Sequence, residues 1–204
     1  MIIKNAVRIK LTKKEIDAVF KKRNPEKWDK VLDVYIFLIE NLDRTDDPVI
    51  SAEYQRKFNY FYQVRRNAKW RKKFYSLFSK YANRRNANFG NILNAIYKET
   101  GMVEASFSSK FAATIDADLP LIDRHVLTYI DRKLPSNQQD PEDRIAAIIE
   151  LHDNMKREFN AFLRTPRGRH LISRFTKEHN DKKISHMKML DFILWQSRGK
   201  RNVK

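Results

Sequence analysis

No cysteine occurs among the 204 residues, which excludes disulfides and thiolate metal sites. Glycine is nearly as scarce, with four in all, and none stands in a Gly-rich phosphate loop or a Walker lysine motif. A nucleotide cofactor would find no such cradle here. Five histidines show neither HxH nor HExxH spacing, and no GxSxG elbow is present, so no metal, no cofactor and no serine hydrolase site are expected. No apolar run approaches the roughly 18 residues that cross a bilayer. The opening MIIKNAVRIKLTKKE lacks the apolar core and cleavage site of a secretory signal, which makes the cytoplasm the expected compartment.

The most informative absence is local. From 54 to 98 there is no Asp or Glu, while the same 45 residues hold twelve Lys or Arg and twelve of the 24 aromatics. The whole chain carries +17, of which this stretch supplies +12 and the other 159 residues only +5. Ordinary surfaces intersperse both signs. A one-signed, aromatic-rich stretch fits a polyanion, because cations displace counterions from phosphates and ring or guanidinium planes offer stacking faces to bases. Nucleic acid, double-stranded DNA foremost, is the expected partner. Arg65, Arg66, Lys69, Arg71, Lys72, Arg84 and Arg85 are the candidate contacts. An anionic membrane would prefer a Lys-rich amphipathic helix with an exposed apolar face, and the aromatics here are too numerous to leave outside a core, so no membrane partner is expected.

At 42% hydrophobic and 33% charged residues, the chain has the composition of a folded domain, with one core or two lobes sharing an interface. Its punctuation is helical, and the expected fold is all-α with about nine helices. Thr12 with Glu15 has the form of a capping box, opening a helix through Ile16, Val19 and Phe20. Asn24-Pro25 starts a second, whose apolar face is Trp28, Val31, Leu32, Tyr35, Leu38, Ile39 and Leu42. The segment DRTDDPVIS marks a candidate boundary between an N-terminal helical pair, 1–46, and a core, 51–197, with a basic tail at 198–204. Beyond it, one stripe runs Tyr54, Phe58, Phe61, Tyr62, Val64 and the next Trp70, Phe74, Leu77, Phe78, Tyr81. Aromatics at helical spacing read as core before they read as stacking platforms. Further helices are predicted from Asn88 to a Gly101 stop, around Phe107 to Ile115, after Asp123, after Asp140-Pro141, after Thr165-Pro166, and over SHMKMLDFILWQS to a stop at Gly199.

One segment gathers a lysine, carboxylates and small residues: TGMVEASFSSKFAATIDADLPLIDRHVLTYI, from Thr100 to Ile130. Lys110 opens its middle, and Pro120, Asp123 and Val126 form a PxxDxxV pattern. This stretch resembles the helix-hairpin-helix DNA glycosylase superfamily. The resemblance implies an all-α glycosylase-like fold, Asp123 as the carboxylate that stabilises an oxocarbenium-like sugar, and Lys110 as an amine that attacks the sugar carbon. A target base must leave the duplex stack to meet them, which needs cations gripping the flanking phosphates; Arg124, beside Asp123, joins the candidates. Two features depart from the family pattern. Only Gly101 stands where a glycine-rich hairpin is expected, and thirteen residues separate Lys110 from Asp123, fewer than is usual there.

Asp123 before an apolar helix also reads as a plain N-cap, and Lys110 as a surface lysine. The alternative is therefore a non-enzymatic nucleic-acid-binding or architectural protein on such a scaffold. A third reading is a module whose basic face meets an acidic protein.

Overall fold

The computed structural model describes residues 9–85 and 87–197; the tail at 198–204, with its Gly199 stop, lies outside them. Among the described residues the chain is all-helical, with ten α-helices, one 3-10 turn at Leu42–Arg44 and no strand. The helices are α1 Lys13–Lys22, α2 Pro25–Glu40, α3 Pro48–Tyr62, α4 Ala68–Ala82, α5 Phe89–Thr100, α6 Ala105–Ile115, α7 Arg124–Tyr129, α8 Pro141–Leu163, α9 Pro166–Glu178 and α10 His186–Gln196.

Short polar side chains start most of them by accepting the orphan amides of the first turn. Thr12 accepts from the Glu15 amide at 3.2 Å while Glu15 accepts from the Thr12 amide at 2.8 Å, a complete capping box. Asn67, Asn88, Asp123, Asp140, Thr165 and Ser185 cap α4, α5, α7, α8, α9 and α10. Gly101 closes α5 with φ +70°, a left-handed turn that glycine adopts freely. Val64 departs from its expected place: α3 ends at Tyr62, Gln63 turns left-handed, and Val64 is buried from the loop that follows. On α4, Tyr75 and Ala82 are buried where Leu77 and Tyr81 were expected, and those two are only half covered.

Backbone proximity divides the described residues into two units, 25–116 and 9–24 with 117–197. The expected N-terminal pair is thus shared between them, α1 with the second and α2 with the first. The 25–116 unit holds α2 to α6, and its core is aromatic. Phe58 lies 4.7 to 5.9 Å, centroid to centroid, from Tyr62, Phe74, Phe78 and Tyr75, and Phe111 lies 4.7 Å from Phe78. Each ring pair adds about 0.5–1.5 kcal/mol beyond its buried area. The Tyr54 hydroxyl donates to the Leu38 carbonyl at 3.0 Å and ties α3 to α2; burial raises its pKa above the usual phenol range.

In the second unit α10 runs through the centre. Every residue from Met187 to Leu194 is buried, and α1, α7, α8 and α9 pack around it. Ion pairs link α1, its end and α9: Arg23 with Glu178 at 2.6 Å, Arg174 with Glu178 at 3.1 Å and with Asp17 at 3.4 Å. The Arg23 hydrogen bond holds Glu178 below the ordinary carboxylate range. At the α8–α9 corner, Thr165 donates to the Phe162 carbonyl at 2.6 Å and accepts from the Gly168 amide at 3.1 Å. A methyl at Gly168 would lie 2.3 Å from the Phe162 carbonyl oxygen and 2.5 Å from the Leu163 Cα. Backbone would have to move to admit it.

Gly101 has open space instead, and only its φ resists a side chain. Chemical denaturation should therefore rank the two alanine variants: about 1–2 kcal/mol lost by Gly101→Ala from φ strain, and about 3 kcal/mol or more by Gly168→Ala from overpacking. Equal losses would contradict the close approach at Gly168.

Candidate nucleic-acid interface

The α3–α4 corner carries the basic stretch. Asn67 accepts the Trp70 amide at 2.9 Å and opens α4, so the residues after it are set by helical period. Trp70, Phe74, Tyr75, Phe78 and Ala82 face the core, which turns Lys69, Lys72, Ser76 and Lys80 outward at three- and four-residue steps. Arg65, in the preceding loop, and Arg84, just past the helix, are exposed.

Not all the candidates point to a partner. Arg66 folds back: its guanidinium pairs with Glu104, itself nearly buried, and lies 5.6 Å and 5.3 Å from the Trp70 and Phe107 ring centroids. Arg85 pairs with Asp43 and has φ +49°. Arg65, Lys69, Arg71, Lys72 and Arg84 have no carboxylate partner among the described residues. Charge in this unit is also less one-sided than its basic stretch, since sixteen Lys or Arg stand against eleven Asp or Glu, a net +5.

Between α3 and α4 lies an open groove of about 850 Å³. Arg56, Gln55 and Asn59 line its α3 side, and Arg71, Lys72, Tyr75 and Ser76 its α4 side. The Tyr75 hydroxyl donates to Asn59 Oδ1 at 2.8 Å and closes the floor; burial raises its pKa beyond the usual range, so it stays a neutral donor. Asp46 lines one end and accepts from the Asn83 amide. Sequence period could not reveal this groove, because it arises from how two helices meet.

Of the catalytic candidates, Lys110 lies in the 25–116 unit and Asp123 in the other. The Lys110 amine donates to the Tyr62 carbonyl at 3.1 Å and lies 5.4 Å from the Phe107 ring centroid. Asp123 caps α7, its Oδ1 accepting the His125 amide at 2.8 Å, and Arg124 is exposed at the first position of that helix.

No family model matches the sequence, and no curated protein or solved structure is significantly similar to it.

Behind Asp123 the second unit holds polar groups that sequence reading passed over as helix interior. Ser185 donates to the Ala117 carbonyl at 2.5 Å, the His152 Nε2 lies 3.2 Å from the Pro120 carbonyl, and the main-chain amide of Leu121 favours the charge of Asp191. Two side chains, from α8 and from the cap of α10, thus hold the loop 117–123. Asp191 and Lys188 are each 2% exposed, one turn apart on α10. Burial pushes the Asp191 carboxyl up to about 7, with Lys188 pulling it down and Asp123 adding to the rise. Burial pushes His152 the other way, down to about 4, against the Pro120 carbonyl and Asp153, and with Lys156.

These two groups act oppositely on stability. Neutral His152 stabilises above its ordinary value of 6.5, and that contribution is lost as pH falls through 4. Protonated Asp191 stabilises below 3.8, and its contribution is lost as pH rises through 7. Unfolding measured from pH 4 to 7 should therefore show stability rising with pH in Asp191→Asn and falling with pH in His152→Gln, each relative to the native chain. The span for His152 is on the order of 3 kcal/mol. Slopes unchanged in both variants would contradict the burial of these groups.

Proposed function

We propose that the protein binds nucleic acid, duplex DNA foremost, through the basic face of its 25–116 unit. The observation that supports this reading best is the set of cations without carboxylate partners among the described residues: Arg65 in the loop, Lys69, Arg71 and Lys72 on α4, Arg84 beyond it. Such charges gain little from the fold itself. They gain much from phosphates, because each neutralised phosphate releases condensed counterion. Lys69 and Lys72, one helical step of about 5–6 Å apart, with further cations in the loops on either side of α4, suit an extended polyanion better than a single acidic side chain.

The combined reversal Arg65→Glu, Lys69→Glu, Arg71→Glu and Lys72→Glu should weaken binding to a duplex and flatten its dependence on salt by about one logarithmic unit per lost phosphate contact. Helical content should survive, since Lys69 and Lys72 are exposed and none of the four holds an ion pair among the described residues. Affinity and salt slope both unchanged would refute this face. Arg66→Ala is the contrasting variant: it leaves the nearly buried Glu104 without its cation and should cost stability instead.

Excision of a base is the second reading, favoured by Asp123. Its Oδ1 is committed to the cap, while its other oxygen makes no hydrogen bond among the described residues, and a carboxylate so fixed suits electrostatic stabilisation of a cationic sugar. Base release on damaged duplexes should then be lost in Asp123→Asn. No release by the native chain across a broad lesion panel leaves the non-enzymatic binder.

A further inference from the structure

Eleven of the twelve aromatics between 54 and 98 are buried or half-buried, which answers for them as core. Tyr60 is the exception, at 57% exposed. It stands four residues after Arg56 on α3, so the two share one helix face, a turn apart. Arg56 lines the α3–α4 groove, and Tyr60, one turn further along α3, does not line it. The Tyr60 carbonyl accepts from the Gln63 side chain at 2.8 Å, which fixes the backbone as the helix ends.

The groove opposite is polar on both sides. Arg56 comes from α3, Arg71 and Lys72 from α4, and the Asn59 amide nitrogen, whose oxygen is taken by Tyr75, remains to donate between them. About 850 Å³ falls within the range of roughly 300–1,000 Å³ that encloses small ligands. A space of this size admits nucleotides but not a duplex. An exposed ring, moreover, stacks more readily on a strand whose bases are free than within a duplex, whose bases already stack on one another.

We infer that the α3–α4 groove and Tyr60 form a track for an unpaired nucleic-acid strand, with the Tyr60 ring stacked on a base and Arg56, Arg71 and Lys72 holding the adjoining phosphates. This track rests on the nucleic-acid reading above and adds to it a strand state and a stacking residue. DNA and RNA share the chemistry that the track uses.

Three probes separate the two ideas: a blunt duplex, the same duplex with a ten-nucleotide overhang, and that overhang alone as DNA or as RNA. Fluorescence anisotropy should show the overhang strengthening binding over the blunt duplex. Tyr60→Ala should remove that gain, weakening binding of the overhang alone by about five-fold or more while leaving the blunt duplex within two-fold. Tyr60→Phe should bind as the native chain does, and Tyr60→Trp should be quenched by the single strand beyond the quench of the native tryptophans. Arg56→Ala should weaken the overhang further. A blunt duplex that binds while the overhang adds nothing, or a Tyr60→Ala variant indistinguishable from native on every probe, overturns the track alone. Failure of every probe to bind overturns the track and the nucleic-acid reading together.

Discussion

The 25–116 unit depends on the meeting of α3 and α4 through rings. Phe58 is the centre, with Tyr62, Phe74, Tyr75 and Phe78 around it and Phe111 closing the far side through Phe74 and Phe78. Helices joined by large side chains stand farther apart than helices joined by small ones. The polar residues just outside such a contact cannot close on one another across it. Here that leaves a groove, with the Tyr75 hydroxyl bonded to Asn59 along its floor. Core and candidate site are therefore two sides of one packing arrangement.

The same arrangement explains the cations. With Trp70, Phe74, Tyr75 and Phe78 turned inward, α4 has no other place for Lys69, Lys72 and Lys80 than its outer face. Acids in the unit do exist, eight of them between 26 and 53, but only some reach the basic stretch. Asp43 takes Arg85, Glu53 lies near Arg56 and Lys57, and Glu104 takes Arg66. A net charge summed over the stretch overstates what is offered to a partner, and pairing residue by residue corrects it. What remains without a carboxylate partner among the described residues includes Arg65, Lys69, Arg71, Lys72, Lys80 and Arg84.

Helix starts were legible because each is decided by one or two neighbouring residues. Thr12 with Glu15, Asp140 with Pro141, and Thr165 with Pro166 act within a single turn, so reading them needs no tertiary knowledge. Val64 was misplaced because a left-handed residue at Gln63, which is not a glycine, ends α3 with no sequence signal. The division into units was equally hidden. Proline at 48 looks like a boundary, yet α2 and α3 belong to one unit and α1 is claimed by Glu178, Arg174 and α10, some 150 residues away. Of the site, residue types were legible and their commitments were not: nothing near Arg66 in sequence shows that Glu104 will take it.

Asp191, Lys188 and His152 were invisible for a further reason. Asp191 and Lys188 sit among apolar neighbours, where a polar residue reads as the exposed edge of an amphipathic face, but α10 has no exposed edge over Met187–Leu194, and His152 sits among polar neighbours on α8 yet is buried. Taking a carboxylate and an ammonium out of water costs several kcal/mol each, and apolar residues of similar volume in such positions are often at least as stable. Retaining the pair therefore argues for position over stability. His152 faces the Pro120 carbonyl and Ser185 the Ala117 carbonyl, so two parts of the loop are addressed by two different side chains. An apolar core would tolerate that loop in several arrangements, whereas paired donors and acceptors specify one. The residue that emerges from the fixed loop is Asp123, with its backbone set and one carboxylate oxygen already bound to the helix it begins.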